Sequence, residues 1–196
     1  MRFPTSRIEK SLRIQGFDLI AGVDEAGCGA LAGPVVAAAV ILPVGRRPRV
    51  RDSKQISASR REELFAEITD SALSWGVGIV RAEEIDAQGI RPATLEAMRR
   101  AVLSLQNAVY VLVDAWRIPD LTIPQKGLIR GDQSEALIAA ASILAKVTRD
   151  RYMREADLSF PMYNFAQHKG YGTVDHRRRI QIHGASPLHR KTFSWA

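Results

Sequence analysis

Asp24 and Glu25 stand side by side in Val23-Asp24-Glu25-Ala26-Gly27-Cys28-Gly29, directly after the apolar run Leu19-Ile20-Ala21-Gly22. Two adjacent carboxylates at the end of an extended run repel one another and are poorly solvated. They stay ionised there only beside a cation, most economically a divalent metal. Two further acids occupy comparable places: Asp114 closes Val111-Leu112-Val113-Asp114, and Asp132 lies in Arg130-Gly131-Asp132 ahead of an Ala-rich stretch. Taken singly, Asp114 and Asp132 read equally well as a turn residue and a helix cap. If the strands that carry Asp24 and Asp114 are neighbours, however, Asp24, Glu25, Asp114 and Asp132 converge at one end of a sheet, where ligands of open α/β folds commonly bind. Four carboxylates in one place make an oxygen-rich cage suited to Mg²⁺ or Mn²⁺.

Other motifs are weighed against that cage. Gly27-Cys28-Gly29-Ala30-Leu31-Ala32 fits a G-x-G-x-x-A dinucleotide fingerprint. That fingerprint needs a helix directly after it, and here Gly33-Pro34 and a β-branched run follow instead. Cys28 is a poor nucleophile, because neighbouring acids disfavour its thiolate and no histidine is near it in the chain. His168, His176, His183 and His189 match neither a zinc-protease nor a zinc-finger spacing. In Lys169-Gly170-Tyr171-Gly172-Thr173 a tyrosine between glycines can offer its ring to a sugar or base, although an ordinary turn with a packed tyrosine reads the same way. Lys54 in Asp52-Ser53-Lys54, the pair Ser142 and Lys146 one helical turn apart, and Lys169 are candidate phosphate contacts; each also reads as a solvated surface group. Asp150, beside Arg149, reads as the partner of a base rather than a fifth ligand.

The elements that must position these residues follow from periodicity. Leu19 to Asp24 and Pro34 to Leu42 predict two strands joined by the glycine turn. A helix capped by Ser57 or Ser59 then places Leu64, Phe65, Ile68 and Ala72 on one face. Gly76 to Val80 predicts a third strand, and Pro92 opens a helical repeat of Leu95, Met98, Val102 and Leu105. Val109 to Val113 is the clearest buried strand, Gln125 to Ile129 a short fifth, and Ser134 to about Leu158 a long helix. The order β-β-α-β-α-α-β-β-α predicts an α/β fold, a mixed five-stranded sheet flanked by helices. A segment rich in bases and aromatics, about 160–196, closes the chain.

At 196 residues with 46% hydrophobic content, one core suffices, and residues 1–196 are expected to form a single domain. The 28 Lys and Arg against 21 acids give a net charge of +7, which suits a polyanion such as nucleic acid. The one cysteine cannot form an internal disulfide, which fits a reducing compartment and a cytoplasmic location. No membrane association is expected, since no apolar run is long enough to span a bilayer or to serve as a secretory signal. Nothing in the sequence speaks to recruitment by a sliding clamp, and a monomer is the expectation.

Asp24-Glu25-Ala26-Gly27-Cys28-Gly29 with Leu31-Ala32-Gly33-Pro34-Val35-Val36, Asp52-Ser53-Lys54, Val113-Asp114, Gly131-Asp132, Ala141 to Asp150, His168 to Thr173 and Ser186-Pro187-Leu188-His189-Arg190 together resemble bacterial ribonuclease HII, the type 2 ribonuclease H family. The resemblance runs from about Ile20 to Phe193. It implies the ribonuclease H-like sheet, with Asp24, Glu25, Asp114 and Asp132 as catalytic metal ligands. It implies Mg²⁺- or Mn²⁺-dependent hydrolysis on the 5′ side of a ribonucleotide, in an RNA/DNA hybrid or singly embedded in duplex DNA, with 5′-phosphate and 3′-hydroxyl products. Two ions about 4 Å apart would suit such an in-line displacement. The resemblance also implies that Gly27, Cys28, Gly29 and Tyr171 sense the 2′-hydroxyl. Two positions depart from the family: Cys28 stands for its usual arginine, and Gly89 for its usual asparagine. The alternatives are another ribonuclease H-like nuclease of the resolvase type, and a nucleic-acid-binding protein with weakened catalysis.

Overall fold

The computed structural model describes residues 4–46 and 56–195, so Asp52-Ser53-Lys54 lies outside the described residues. Helix α1 (Arg7–Ile14) precedes strands β1 (Ile20–Ala26) and β2 (Val35–Ile41). Then come α2 (Ala58–Ser71), β3 (Ser74–Val80), α3 (Ala82–Gln88), α4 (Ile90–Leu103), β4 (Tyr110–Asp114) and β5 (Gln125–Leu128). The short α5 (Gly131–Ser134) leads into the long α6 (Ala136–Ser159), and α7 (Phe165–His168) and α8 (Val174–His183) complete the order. Among the described residues no helix is long and apolar enough to cross a membrane.

The strands form one mixed sheet in the order β3-β2-β1-β4-β5. β1 runs antiparallel to β2 and parallel to β4, with Ile20 opposite Tyr110 and Val23 opposite Val113. The next residues in that register are Asp24 and Asp114, so the two acids come side by side at the end of the strand pair that begins the sheet's parallel half. β1 continues two residues beyond the predicted Leu19 to Asp24, so Glu25 lies in the strand beside Asp24, the two paired with Ala37 and Ala38.

Alternation along β2 supplies both cores. Ala38 and Val40 pack on one face against Leu137, Ala140, Ala141 and Leu144 of α6. Val35, Ala37 and Ala39 face Ala93, Ala97 and Met98 of α4 on the other. Small side chains let the helices approach closely. At Gly22 a Cβ would sit 2.2 Å from the backbone carbonyl carbon of Leu137, so α6 lies directly on β1 and brings Ser142 over Asp24.

Several boundaries differ from the periodic reading. Ser57 is the cap of α2, accepting from the Arg60 N–H at 3.2 Å. The long helix predicted from Ser134 is broken at Glu135, which is extended, because Thr5 pairs with the chain there: Thr5 N–H donates to the Ser134 carbonyl and Ala136 N–H to the Thr5 carbonyl, both at 2.8 Å. The Glu135 carboxylate in turn caps the Ile8 N–H at 3.0 Å, at the start of α1. Gly89 sits between α3 and α4 at φ 84°, ψ 161°, a backbone conformation costly for any side chain. Glycine at position 89 is therefore what this sharp helix junction needs.

Candidate metal-dependent active site

The end of β1 and β4 opens into a cavity of about 540 Å³ lined by Asp24, Glu25, Asp114 and Asp132, the Ala26–Gly29 turn, Arg61, Ser142, Lys146 and Tyr171. Oxygens of Asp24, Glu25 and Asp114 lie within 4.8 Å of one another. Asp132 lines the same cavity from α5 but falls outside that tight group. The sheet register sets the first three directly, whereas Asp132 is delivered by a helical turn beyond β5.

Each acid is held by the elements around it. Asp24 is buried, and its Oδ1 accepts the Glu25 N–H at 2.8 Å while Ser142 of α6 hydrogen-bonds its side chain. Asp114 Oδ1 accepts the Gly131 N–H at 2.7 Å, so the start of α5 fixes the second strand's carboxylate. Burial raises the Asp24 pKa well above the ordinary carboxylate range, and the charges of Glu25 and Asp114 push it the same way. Glu25 is raised too, chiefly by burial. Three crowded carboxylates, with the ionised forms of Asp24 and Glu25 disfavoured by burial, are the donor set that a hard divalent cation satisfies. The residues present thus fit such an ion.

The glycine turn forms the adjoining wall. Gly27 has φ 98°, and a Cβ there would lie 2.0 Å from Arg149 Nε, so only glycine fits. Cys28 turns its thiol inward. Its S–H faces the Glu25 carboxylate at 3.6 Å, and its sulfur lies 3.2 Å from the Thr94 hydroxyl, which also hydrogen-bonds the Ile90 carbonyl at 2.8 Å. Burial, with Glu25 nearby, pushes the thiol pKa up to about 12, which leaves no thiolate at neutral pH. The sequence expectation that Cys28 is no nucleophile agrees with that geometry.

Beneath the turn lie two fully buried arginines. Arg149 donates to the carbonyls of Pro34 at 2.9 Å and Ala32 at 3.1 Å, and its guanidinium lies 5.1 Å from the Tyr171 ring centre. Arg190 donates to the carbonyls of Gly27, Cys28 and Gly33. Burial lowers the Arg190 pKa to about 10, still protonated at neutral pH. In the sequence both look like surface bases, and nothing local marks them as buried.

Among the phosphate candidates, Ser142 and Lys146 line the cavity. Lys146 also pairs with Asp150 at 2.6 Å, so that acid has a base as its partner, as expected. Lys169 does not line the cavity; its ammonium donates to the Ala166 carbonyl, and burial lowers its pKa. Arg61 lines the cavity and is not among the residues the sequence singles out. Its available signal is a base in the first turn of a helix that follows the Asp52-Ser53-Lys54 motif in the sequence.

Three of the four histidines form a packed group rather than a metal site, and His183 is exposed. His168 and His176 stack 4.1 Å apart, and His176 and His189 are joined through their Nε2 atoms at 3.1 Å.

Comparisons with known proteins agree with this geometry. The family model described as Ribonuclease HII matches residues 21–196. A ribonuclease HII of Syntrophotalea carbinolica is 54% identical over 94% of this chain and 90% of its own. One of Chloroflexus aurantiacus is 53% identical over 97% and 93%. Among solved structures, the ribonuclease H2 of Pyrococcus horikoshii superposes with a TM-score of 0.75 at 25% identity, covering 90% of this chain and 94% of that one. The RNase HII in a PCNA:RNase HII complex from Archaeoglobus fulgidus gives 0.73 at 27%, covering 90% and 95%. A Bst-RNase HIII solved with Mn²⁺ shares the fold, with a TM-score of 0.75 at 16% identity over 93% of this chain and 69% of that one. The chain belongs to the ribonuclease HII family and is an endoribonuclease of the type 2 ribonuclease H class.

Proposed function

We propose that this enzyme hydrolyses the phosphodiester on the 5′ side of a ribonucleotide, both in RNA/DNA hybrids and where a single ribonucleotide is embedded in duplex DNA, leaving a 5′-phosphate and a 3′-hydroxyl. The observation that carries the reading is one cavity lined both by the three converged carboxylates and by Tyr171 with the Gly27–Gly29 turn. The first set suits hydrolysis of a phosphodiester, and the second suits recognition of a ribose. Such an activity would serve the excision of misincorporated ribonucleotides from DNA.

Asp24, Glu25, Asp114 and Asp132 would hold Mg²⁺ or Mn²⁺, two ions during the reaction. When bound, such ions would supply Lewis acidity for the attacking water and neutralise charge on the leaving oxygen. Ser142 and the Glu25 N–H keep Asp24 aimed at the cavity, and the Gly131 N–H does the same for Asp114. The turn around Cys28 offers backbone N–H groups rather than a side chain, so recognition of a 2′-hydroxyl survives the replacement of arginine by cysteine. Tyr171 lines the same cavity and sets the sugar against that turn. Lys146, Ser142 and Arg61 face the cavity as phosphate contacts, and Lys54 and Lys169 would add further contacts to the nucleic-acid backbone.

We read residues 1–196 as one catalytic domain whose segment from about 160 to 196 contributes to substrate binding, acting as a monomer in the cytoplasm. The test is cleavage of a DNA duplex containing one ribonucleotide, with Mg²⁺, with Mn²⁺ and with chelator. Cleavage 5′ of the ribonucleotide that chelator abolishes supports the reading. Cleavage of an all-DNA four-way junction instead would point to a resolvase, and tight binding without metal-stimulated cleavage to a binding protein.

A further inference from the structure

We propose that the consecutive residues His189 and Arg190 are positioning residues that fix, from one short stretch of backbone, the two parts of the cavity read above as sensing the ribose. The inference rests on that reading and concerns how the apparatus is held.

Arg190 is wholly buried, and every hydrogen bond it makes goes to a backbone carbonyl: Nη2 to Gly27 at 2.8 Å, Nη1 to Cys28 at 3.0 Å, and Nε and Nη2 to Gly33 at 3.0 and 2.9 Å. In a trans peptide the N–H points away from the carbonyl of the same unit. With the Gly27 and Cys28 carbonyls drawn inward onto the guanidinium, the N–H groups of Cys28 and Gly29 are turned outward, to the side that the cavity occupies. Among the described residues neither N–H donates to another protein group. Peptides flanked by glycine rotate readily, so the guanidinium fork is what holds this pair in one orientation. A buried charge is a costly way to fill space, since apolar groups of similar volume do it at least as well. What an arginine adds here is the direction of three carbonyls.

His189 acts on the other part. Ser186 N–H donates to His189 Nδ1 at 2.9 Å, so His189 carries its proton on Nε2 and donates it to His176 Nε2 at 3.1 Å. His176 then carries its proton on Nδ1 and donates it to the Tyr171 carbonyl at 3.0 Å. Two neutral rings thus tie the backbone of Tyr171 to the residue next to Arg190. The backbone of the same stretch is bound into the site, with Arg190 N–H on the Leu31 carbonyl at 2.9 Å and a bridge between Ala32 and His189. Beyond it, Asp86 of α3 accepts the N–H groups of Lys191 and Thr192 at 2.9 and 3.0 Å, so the stretch cannot slide. Turn and tyrosine therefore share one anchor.

The test measures kcat and KM on a duplex with one ribonucleotide, and affinity for the same duplex made wholly of DNA, for Arg190→Lys, His189→Gln and His189→Met. Arg190→Lys keeps the charge but not the fork. His189→Gln keeps an N–H donor at the distance of Nε2, and His189→Met removes it. The expected result for Arg190→Lys and His189→Met is a kcat lowered roughly 10- to 100-fold, as for sub-ångström to ångström misplacement of reacting groups, with affinity for the all-DNA duplex retained. His189→Gln is expected to recover most of the rate. Unchanged kcat in the folded variants, or losses that fall equally on kcat and on all-DNA affinity, would overturn the proposal. Where a variant does not fold, the amide ¹H–¹⁵N resonance of Gly29 in the others decides, since loss of the fork must move it. A wild-type enzyme that fails to cut the ribonucleotide duplex would defeat the functional reading instead, whereas a Gly29 resonance unmoved in Arg190→Lys would defeat this inference alone.

Discussion

Asp24 is in conflict between folding and chemistry. Burial and two neighbouring carboxylates disfavour its charge, so its folded pKa lies above the unfolded value of 3.8. A raised carboxyl pKa contributes stability that is present below about pH 4 and is lost as pH rises through the folded value. Divalent metal should therefore raise the melting temperature more at pH 8 than at pH 5, which thermal denaturation with and without Mg²⁺ will check; an equal shift at both would contradict the crowding described. Asp24→Asn removes the repulsion and the ligand together. It is expected to lower cleavage by roughly 10³-fold, the several kcal/mol that metal positioning supplies, while melting at a higher temperature than wild type in chelator. A rate left intact would show that Asp24 is no ligand. These acids were legible in the sequence because charged pairs rarely follow apolar strands without a use. Arg61, Arg149 and Arg190 were not, because an arginine's neighbours in the chain do not reveal whether it lines a cavity, as Arg61 does, or is buried, as the other two are.

The arrangement of helices on strands sets the tolerance of the framework. Gly22 meets the backbone of Leu137, which cannot move without shifting α6. Gly22→Ala should cost roughly 1–3 kcal/mol or more, read as a fall in the denaturant midpoint, and should depress activity in the surviving folded fraction because Ser142 moves with α6. The histidine pair gives a second handle. Burial lowers His176 and His189 from 6.5 to about 4, so the folded state prefers both neutral. Depressed values contribute stability that is full above about pH 6.5 and is lost as pH falls toward 4. Protonation would also set two N–H donors against each other at 3.1 Å. A pH titration of the melting temperature should fall in that window, and His189→Gln should flatten it. The strands and the helices α2, α4 and α6 were legible because their apolar periods are strong. Helix α1 and the break at Glu135 were not: each depends on Thr5 meeting residues 134–136, a contact no local pattern announces.

Charge and topology govern the enzyme as a unit. A net charge of +7 predicts duplex affinity that falls steeply with salt. Arg61→Ala should reduce the slope of log affinity against log salt by about one and raise KM with kcat largely kept, as for a single phosphate contact; an unchanged slope would remove Arg61 from the interface. The strand order itself was predicted only as a condition, since convergence of Asp24 and Asp114 required β1 and β4 to be neighbours, and sequence alone leaves that pairing open. The structure meets the condition by joining Ile20 to Tyr110 in parallel. That junction has a kinetic meaning. Segments so far apart along the polypeptide associate slowly, after hairpins such as β1–β2 have had time to form. A nascent or partly unravelled molecule consequently carries its acids dispersed, and acquires the power to cut nucleic acid only when its slowest pairing has closed.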